Sequence, residues 1–279
     1  MNITKILFIG DVVGSPGRRI VSRALPRLIR RWDLGLVVCN AENAAGGSGL
    51  TAKCHEELVL AGVDVFTMGD HIYRKDEIFN LFEKTDRLCR PANYPPDSPG
   101  AEVAIAQTRD GATVAVFTVL GRTFMKPVDC PFRAADRVLD RIGGSARVVL
   151  VDVHAEATSD KQLLGRYLDG RVSAVFGTHT HVATADEQIL PNGTAYQTDV
   201  GMTGPYDSII GRRYDRVLAA TLTHQPHYFD VATGDAKLCG AVVEVDVVTG
   251  KAVAVRRVAI DEEEARKLAT DADSQTSTR

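Results

Sequence analysis

The chain contains no C-x-x-C spacing, and its five cysteines (Cys39, Cys54, Cys89, Cys130 and Cys239) are odd in number. That argues against both a thiolate zinc site and a disulfide framework, so a reduced, cytoplasmic location is expected. No apolar run approaches the length needed to span a bilayer. At the amino terminus one Lys is followed by only ILFIG before Asp11 interrupts, too short an apolar run for the core of a secretion signal. Basic side chains do not gather either. The 33 Lys and Arg are balanced by 36 Asp and Glu, and after the RLIRR stretch ending at Arg31 no basic block recurs. Neither duplex nucleic acid nor a membrane is therefore an expected partner, whereas a small anionic molecule held through metal is compatible with this balance.

What is present is ordinary globular material: 279 residues, 44% hydrophobic and 25% charged, without internal repeats. One large α/β domain over residues 1–260 is expected, followed over 261–279 by a short helix and a disordered polar tail. The apolar runs at 6–10, 35–40, 63–69, 112–121, 147–153 and 173–178 are continuous rather than alternating and rich in Val and Ile. Strands buried on both faces have this pattern. Helical patterns separate them at 17–31, 51–60, 74–83, 133–142 and 159–168. Pro26 is expected to kink or split the first, and Ser159 with Gln162 has capping-box spacing. Such β–α alternation predicts a mainly parallel sheet. After His181 the runs TAYQTDVG, RVLAATLTH, GAVVEVDVVTG and KAVAVRRVAI read as strands without intervening helices, predicting an antiparallel last third.

Chemistry concentrates where these strands end. Asp11 in FIGDVVG, Glu42 in VCNAEN and the Asp70-His71 pair in TMGDH each follow an apolar run, as do His154 in VDVHAE and His179 and His181 in FGTHTH. Parallel strands end on one sheet edge, so residues beyond them converge although distant in sequence. Asp11, Glu42 and Asp70 are spaced by roughly 30 residues, about one βαβ unit. Three carboxylates brought together resist ionisation unless a cation offsets them. The plain alternative, a helix N-cap after each strand, suits Asp but fits Glu42 poorly. For GTHTH the plain alternative is two surface histidines. On a strand, His179 and His181 would point the same way with Thr180 opposed. GDVVGSPG lacks both the dinucleotide fingerprint and the Walker lysine, so Gly14 and Gly17 are read as turn residues around Asp11.

Taken in order, GD, AEN, GDH, H and GTHTH resemble the calcineurin-like metallophosphoesterase superfamily. From FIGDVVG to TDVGMTGPYDSIIG, about residues 4–258, the chain is similar to the YmdB-like branch of bacterial phosphodiesterases. The resemblance implies a β-sandwich of two mixed sheets flanked by helices. It also implies two divalent ions (Fe, Mn or Zn) and hydrolysis of phosphodiesters such as 2′,3′-cyclic nucleotides by a hydroxide bridging those ions. Carried over by position, one ion would be held by Asp11, Glu42, Asn43 and His181 and the other by Glu42, Asp70, His154 and His179, with His71 as proton donor. Two positions depart from the superfamily pattern. Val13 stands where a His is usual, as is typical of this branch, and Asp70 stands where Asn is expected. The extra negative charge of Asp70 should hold metal more tightly and leave it a weaker electrophile.

The rest of the substrate is expected against the loops 121–132 and 201–208, with Arg122, Phe124 and Tyr206 as contacts; loop packing is the plain alternative for the two aromatics. Rival functions are a nucleotide-sensing regulator with little turnover, a phosphomonoesterase, or the capsule-synthesis branch, whose members are envelope-associated. A homo-oligomer is expected.

Overall fold

The computed structural model describes residues 2–268, and the expected disordered tail lies outside them. Among the described residues thirteen strands form, in chain order β1 (Ile3–Ile9), β2 (Leu36–Asn40), β3 (Val65–Thr67), β4 (Leu88–Cys89), β5 (Val103–Gln107), β6 (Thr113–Leu120), β7 (Val148–His154), β8 (Ala174–Thr178), β9 (Gln188–Ile189), β10 (Ala195–Gln197), β11 (Gly204–Pro205), β12 (Ala236–Asp246) and β13 (Ala252–Asp261). The helices are α1 (Gly14–Trp32), α2 (Ala52–Ala61), α3 (Glu77–Phe82), α4 (Pro131–Ile142), α5 (Thr158–Leu168) and α6 (Tyr214–Thr223). Residues 262–268 are also helical.

The strands divide into two mixed sheets. The first runs β11-β12-β1-β2-β3-β4, with β13 beside β12; the second runs β5-β6-β7-β8-β10-β9. In each sheet a parallel centre (β1 to β4; β6, β7, β8 and β10) is bordered by antiparallel strands. The apolar runs are continuous because both faces of the central strands are covered. Ile6, Phe8, Leu36, Val38 and Val65 meet Val114, Val116, Leu150 and Phe176 between the sheets. The outer face of the first sheet packs on α1 and α2 through Ile20, Leu25, Leu28 and Leu58, and that of the second on α4 and α5 through Ala135, Val138, Leu164 and Leu168. Helix, sheet, sheet and helix thus form four layers.

Several local expectations need correction. Pro26 does not split α1, whose buried row Ile20, Val21, Ala24, Leu25 and Leu28 holds it on the sheet. Ser159 and Gln162 form no capping box, because α5 starts at Thr158 with Ala157 as an uncapped N-cap. RVLAATLTH is helical rather than extended: it lies in α6, where Tyr214, Leu218 and Leu222 share one face and no residue is buried. With no strand edge to complete, its Ala-Leu composition settles into a helix. The antiparallel hairpin β12–β13 joins the first sheet, whereas β10 departs from the antiparallel expectation by pairing parallel with β8.

Phe8 and Phe176 bridge the two sheets with ring centroids 5.5 Å apart. Phe176→Ala should cost about 3–5 kcal/mol, the usual range for emptying a buried aromatic site. Urea denaturation measures this, and a loss below about 1 kcal/mol would show that the sheets do not depend on this pair.

Candidate metal centre

The registers explain why the motif residues converge. In the first sheet Ile9 pairs with Cys39 and Asn40 with Thr67, so Asp11, Glu42 and Asp70 leave the same edge. In the second, Leu120 pairs with His154 and His154 with Thr178, so His154 and His179 do likewise. Both edges open on one cleft. One potential ligand atom each from Glu42, Asp70, His154 and His179 lie within 4.8 Å of one another. Beside them, His181 Nε2 is 3.7 Å from Asp11 Oδ1 and 3.3 Å from Asn43 Nδ2. None of the three carboxylates is a helix cap: α1 begins after Val13, α2 after Thr51 and α3 after Asp76.

The histidine pair does not sit on a strand, contrary to the alternation expected from the sequence. β8 ends at Thr178, and His179 and His181 have φ of 88° and 65°. Left-handed backbone at two non-glycine residues costs on the order of 1–3 kcal/mol each and persists only where surrounding contacts enforce it.

Each histidine offers one nitrogen to the cluster and fixes the other on an acceptor outside it. His154 Nδ1 lies 2.8 Å from the Thr178 hydroxyl, His179 Nε2 3.1 Å from Glu156 Oε2, and His181 Nδ1 3.0 Å from the Ile210 carbonyl. Metal-binding histidines are oriented in this way. Two further observations fit a cation. Asp11 Oδ1 is buried without a hydrogen-bond partner among the described residues, the 3.7 Å to His181 being too long for one. Gly69 is also required, since a Cβ there would collide with His154 Nε2 and Glu42 Oε2. The donor set is all carboxylate, amide and imidazole, suited to Zn, Fe or Mn.

The titrating groups respond to one another. Burial acts to raise the Asp11, Glu42 and Asp70 carboxyls, but the neighbouring histidines outweigh it and hold all three below the ordinary carboxylate range. Burial acts to lower His154 and His181, but Glu42 and Asp70 around the first and Asp11 beside the second leave both raised. His179 is lowered, by its own burial and by the charge on His154. Protons on His154 and His181 thus occupy the electrostatic role that a cation can take over.

Support comes from residues the sequence did not single out. Asp152 is buried beneath the site and accepts from Thr67 Oγ1 (2.6 Å), Thr178 Oγ1 (2.6 Å) and Asn40 Nδ2 (2.9 Å). Burial pushes its carboxyl up to about 6 against these hydrogen bonds and the charge of His154. An acid inside the apolar run VVLVDVH was the available signal.

The cleft has a volume of about 380 Å³ and is lined by Glu42, Asn43, His71, His179 and His181 together with Val13, Ile210 and Arg212. Arg212 and Ile210 were not anticipated. The guanidinium of Arg212 donates to the carbonyls of Gly46, Gly47 and Phe229, and a Cβ on Gly47 would strike it. Arg122 lines a different depression with Asp160 and Phe132. Phe124 is 89% exposed. Tyr206 turns inward, its hydroxyl 3.0 Å from the Met202 carbonyl and 3.0 Å from Cys239 Sγ. None of these three lines the metal cleft. His71 does, its Nδ1 2.8 Å from Asn43 Oδ1 and its backbone N–H donating to Glu42 Oε2 at 3.0 Å.

Two mixed sheets flanked by helices, with donors gathered at their shared edge, define a metallophosphoesterase-type architecture, and the chain is a hydrolase. It belongs to the YmdB-like protein family, whose sequence model matches residues 7–258. It is 46% identical over 259 residues to a 2′,3′-cyclic-nucleotide 2′-phosphodiesterase of Bacillus subtilis, covering 93% of this chain and 98% of the relative. Among solved structures it is similar to a novel phosphatase from Mycoplasma pneumoniae (34% identity, TM-score 0.87, 96% of this chain and 97% of the other). It is also similar to a hypothetical protein from Thermus thermophilus (45% identity, TM-score 0.86, 93% and 100%). Among the described residues no helix is long and apolar enough to cross a membrane.

The shifts fix a pH dependence for the protein held in chelator. Carboxylates with depressed values stabilise above their ordinary 3.8 to 4.5, and this is lost as pH falls through the folded-state values. His154 and His181, being raised, stabilise fully below their ordinary 6.5, and this is lost as pH climbs through their higher folded-state values. Below pH 6.5 two groups act against a plateau, Asp152, raised to about 6, losing stability as pH rises and His179, lowered, losing it as pH falls. The raised histidines therefore show above it, and thermal melts in EDTA should decline as pH climbs past about 6.5. Saturating Mn²⁺ should flatten that alkaline decline, and an equal decline with and without Mn²⁺ would contradict the assignment.

Proposed function

We propose that this protein is a binuclear metal-dependent phosphodiesterase that acts in the cytoplasm on small phosphoesters of the 2′,3′-cyclic nucleotide class. The observation that carries this is the gathering of Glu42, Asp70, His154 and His179 beside Asp11, Asn43 and His181 at the mouth of one cleft. One ion would be held by Asp11, Glu42, Asn43 and His181, the other by Glu42, Asp70, His154 and His179. Glu42 lies between the two sets, with Oε1 3.2 Å from Asn43 Nδ2 and 3.3 Å from His154 Nε2. The name of the Bacillus subtilis relative supports the substrate class.

Bound ions would supply Lewis acidity toward the phosphoryl oxygens and acidify a water molecule. The chain's own groups then orient the substrate and manage its protons. As a metal ligand Asn43 would offer Oδ1 toward Glu42 and His181, where Nδ2 now lies, which turns its Nδ2 toward His71 Nδ1, 2.8 Å from the amide. His71 would then accept at Nδ1 and carry its proton on Nε2, ready for the departing oxygen. Arg212, in the cleft lining, contributes a fixed positive charge for the phosphate anion, and Ile210 and Val13 offer apolar surface to the ester group.

Glu42→Gln should lose bound Mn²⁺ and turnover of a 2′,3′-cyclic nucleotide while remaining folded, as read by elemental analysis, product formation and circular dichroism together. Unchanged metal content with full activity would sink the binuclear reading, and nucleotide binding by the parent without product would favour a sensing role instead. His71→Ala should keep its metal and slow the cyclic nucleotide by about 10²- to 10⁴-fold, the usual range for removing a general acid. With a p-nitrophenyl ester, whose leaving group needs little protonation, the defect should shrink; equal defects on both substrates would assign His71 to phosphate positioning.

A further inference from the structure

We infer that Lys161, Asp199 and Thr180 form a positioning unit that holds the His179–His181 turn in its metal-binding geometry, an inference that rests on the metal centre proposed above. The turn is the one part of the donor set whose backbone is strained, with left-handed φ at both histidines. Thr180, between them, is tied at two points to one carboxylate: its N–H donates to Asp199 Oδ2 at 3.3 Å and its hydroxyl donates to the same oxygen at 2.6 Å. Lys161 Nζ closes the triangle, donating to Asp199 Oδ2 at 2.7 Å and to Thr180 Oγ1 at 3.1 Å. The second carboxylate oxygen accepts from Gly201 N–H at 2.7 Å.

The energetics favour a positioning role over a stabilising one. The side chains of Lys161 and Asp199 are each 1% exposed. Desolvating two charges cancels most of their attraction, so a buried pair of this kind adds little to stability compared with an apolar replacement. What it does provide is direction. A carboxylate bonded through both oxygens, backed by a lysine reaching from α5, fixes both the backbone and the side chain of Thr180. Rotation of either neighbouring residue out of the left-handed region would break those bonds. His179 is further held from the other side, its N–H donating to Asp11 Oδ2 at 3.1 Å, and the His181 carbonyl accepts from Met202 N–H at 3.2 Å, three residues beyond Asp199. Lys161 and Asp199 are absent from the cleft lining, so their influence passes through Thr180.

The test uses Thr180→Val, which keeps shape and removes the hydroxyl, and Thr180→Ser, which restores it. Mn²⁺ is the probe, measured by competition with a fluorescent chelator, alongside thermal melts in EDTA and steady-state kinetics. Thr180→Val should weaken Mn²⁺ binding by about 10- to 100-fold, the usual effect of losing a residue that orients a ligand. It should lower kcat with KM for the cyclic nucleotide unchanged, and Thr180→Ser should return both properties to parental values. A merely structural role would lower the melting temperature while leaving Mn²⁺ affinity and kcat intact, and that result overturns the inference. Should Thr180→Val not fold, Asp199→Asn, which keeps an acceptor but removes the charge facing Lys161, is read by the same criteria. A parent protein that takes up no Mn²⁺ removes the metal-centre reading and this inference with it. Uptake by the parent with unaltered uptake by the variants removes this inference alone.

Discussion

The carboxylate of Asp152 ties the two sheets together at the edge where the site is built. Asn40 and Thr67 reach it from β2 and β3, Thr178 from β8, and the backbone of Asp152 belongs to β7. A buried carboxylate without partners would cost several kcal/mol, so this position is compatible with folding only when both sheets supply their donors. Apolar packing between the sheets is not directional, and the same residues could slide by part of a strand without losing much contact. The hydrogen bonds to Asp152 forbid that slide. They fix the relative height of the strand ends, and with it the distances among Glu42, Asp70, His154 and His179.

A second constraint acts along the opening of the cleft. The segment from Asp199 to Thr203 runs between the first motif and the histidine turn and is bonded to both. Thr203 N–H donates to the Asp11 carbonyl at 2.8 Å, Val13 N–H returns to the Thr203 carbonyl at 2.9 Å, and Met202 N–H meets the His181 carbonyl at 3.2 Å. Motifs far apart in the sequence are therefore spaced by a third piece of chain rather than by direct contact alone. Loops carrying donors from different sheets need such a spacer, because a displacement of even about 1 Å changes metal coordination and reaction geometry.

Much of this was legible in the sequence because it obeys short-range rules. Continuous Val- and Ile-rich runs mark strands covered on both faces, and the residue just past each run lies at the sheet edge whatever the tertiary details. That logic located Asp11, Glu42, Asp70, His154, His179 and His181. It could not locate Asp199 or Lys161, because a carboxylate in TDVG and a lysine in a helical stretch look like ordinary surface residues until the fold buries them. The histidine turn was misjudged for a related reason: period-two alternation applies only while the strand continues, and nothing in GTHTH marks its end at Thr178. α6 was read as a strand because RVLAATLTH is apolar and short. Its helical row of Tyr214, Leu218 and Leu222 remains exposed, so burial gave no cue. Arg212 and Ile210 arrive in the cleft from the segment before this helix; Ile210 lies in the TDVGMTGPYDSIIG stretch and Arg212 follows it, but neither carries the metal-ligating chemistry that singled out the other residues.

Charge orders the events that the proposed centre can support. Asp11, Glu42, Asp70 and Glu156 place four carboxylates in or beside the cleft, and among its described lining residues Arg212 is the only Lys or Arg. A phosphodiester approaching those carboxylates alone meets net repulsion that one guanidinium, already bonded to three backbone carbonyls, does not offset. Divalent cations reverse the sign of the field at the site, so metal uptake precedes productive substrate binding on electrostatic grounds. Asp70 deepens that dependence. Its Oδ1 lies 3.3 Å from His154 Nε2 and 3.6 Å from His179 Nδ1, within the donor cluster, where an amide would add no charge. In the proposed centre the carboxylate would bind cation more firmly and leave less positive potential for phosphate. A site so composed would favour retaining metal over maximal electrophilicity, and Arg212 in the cleft lining would supply attraction for the anion.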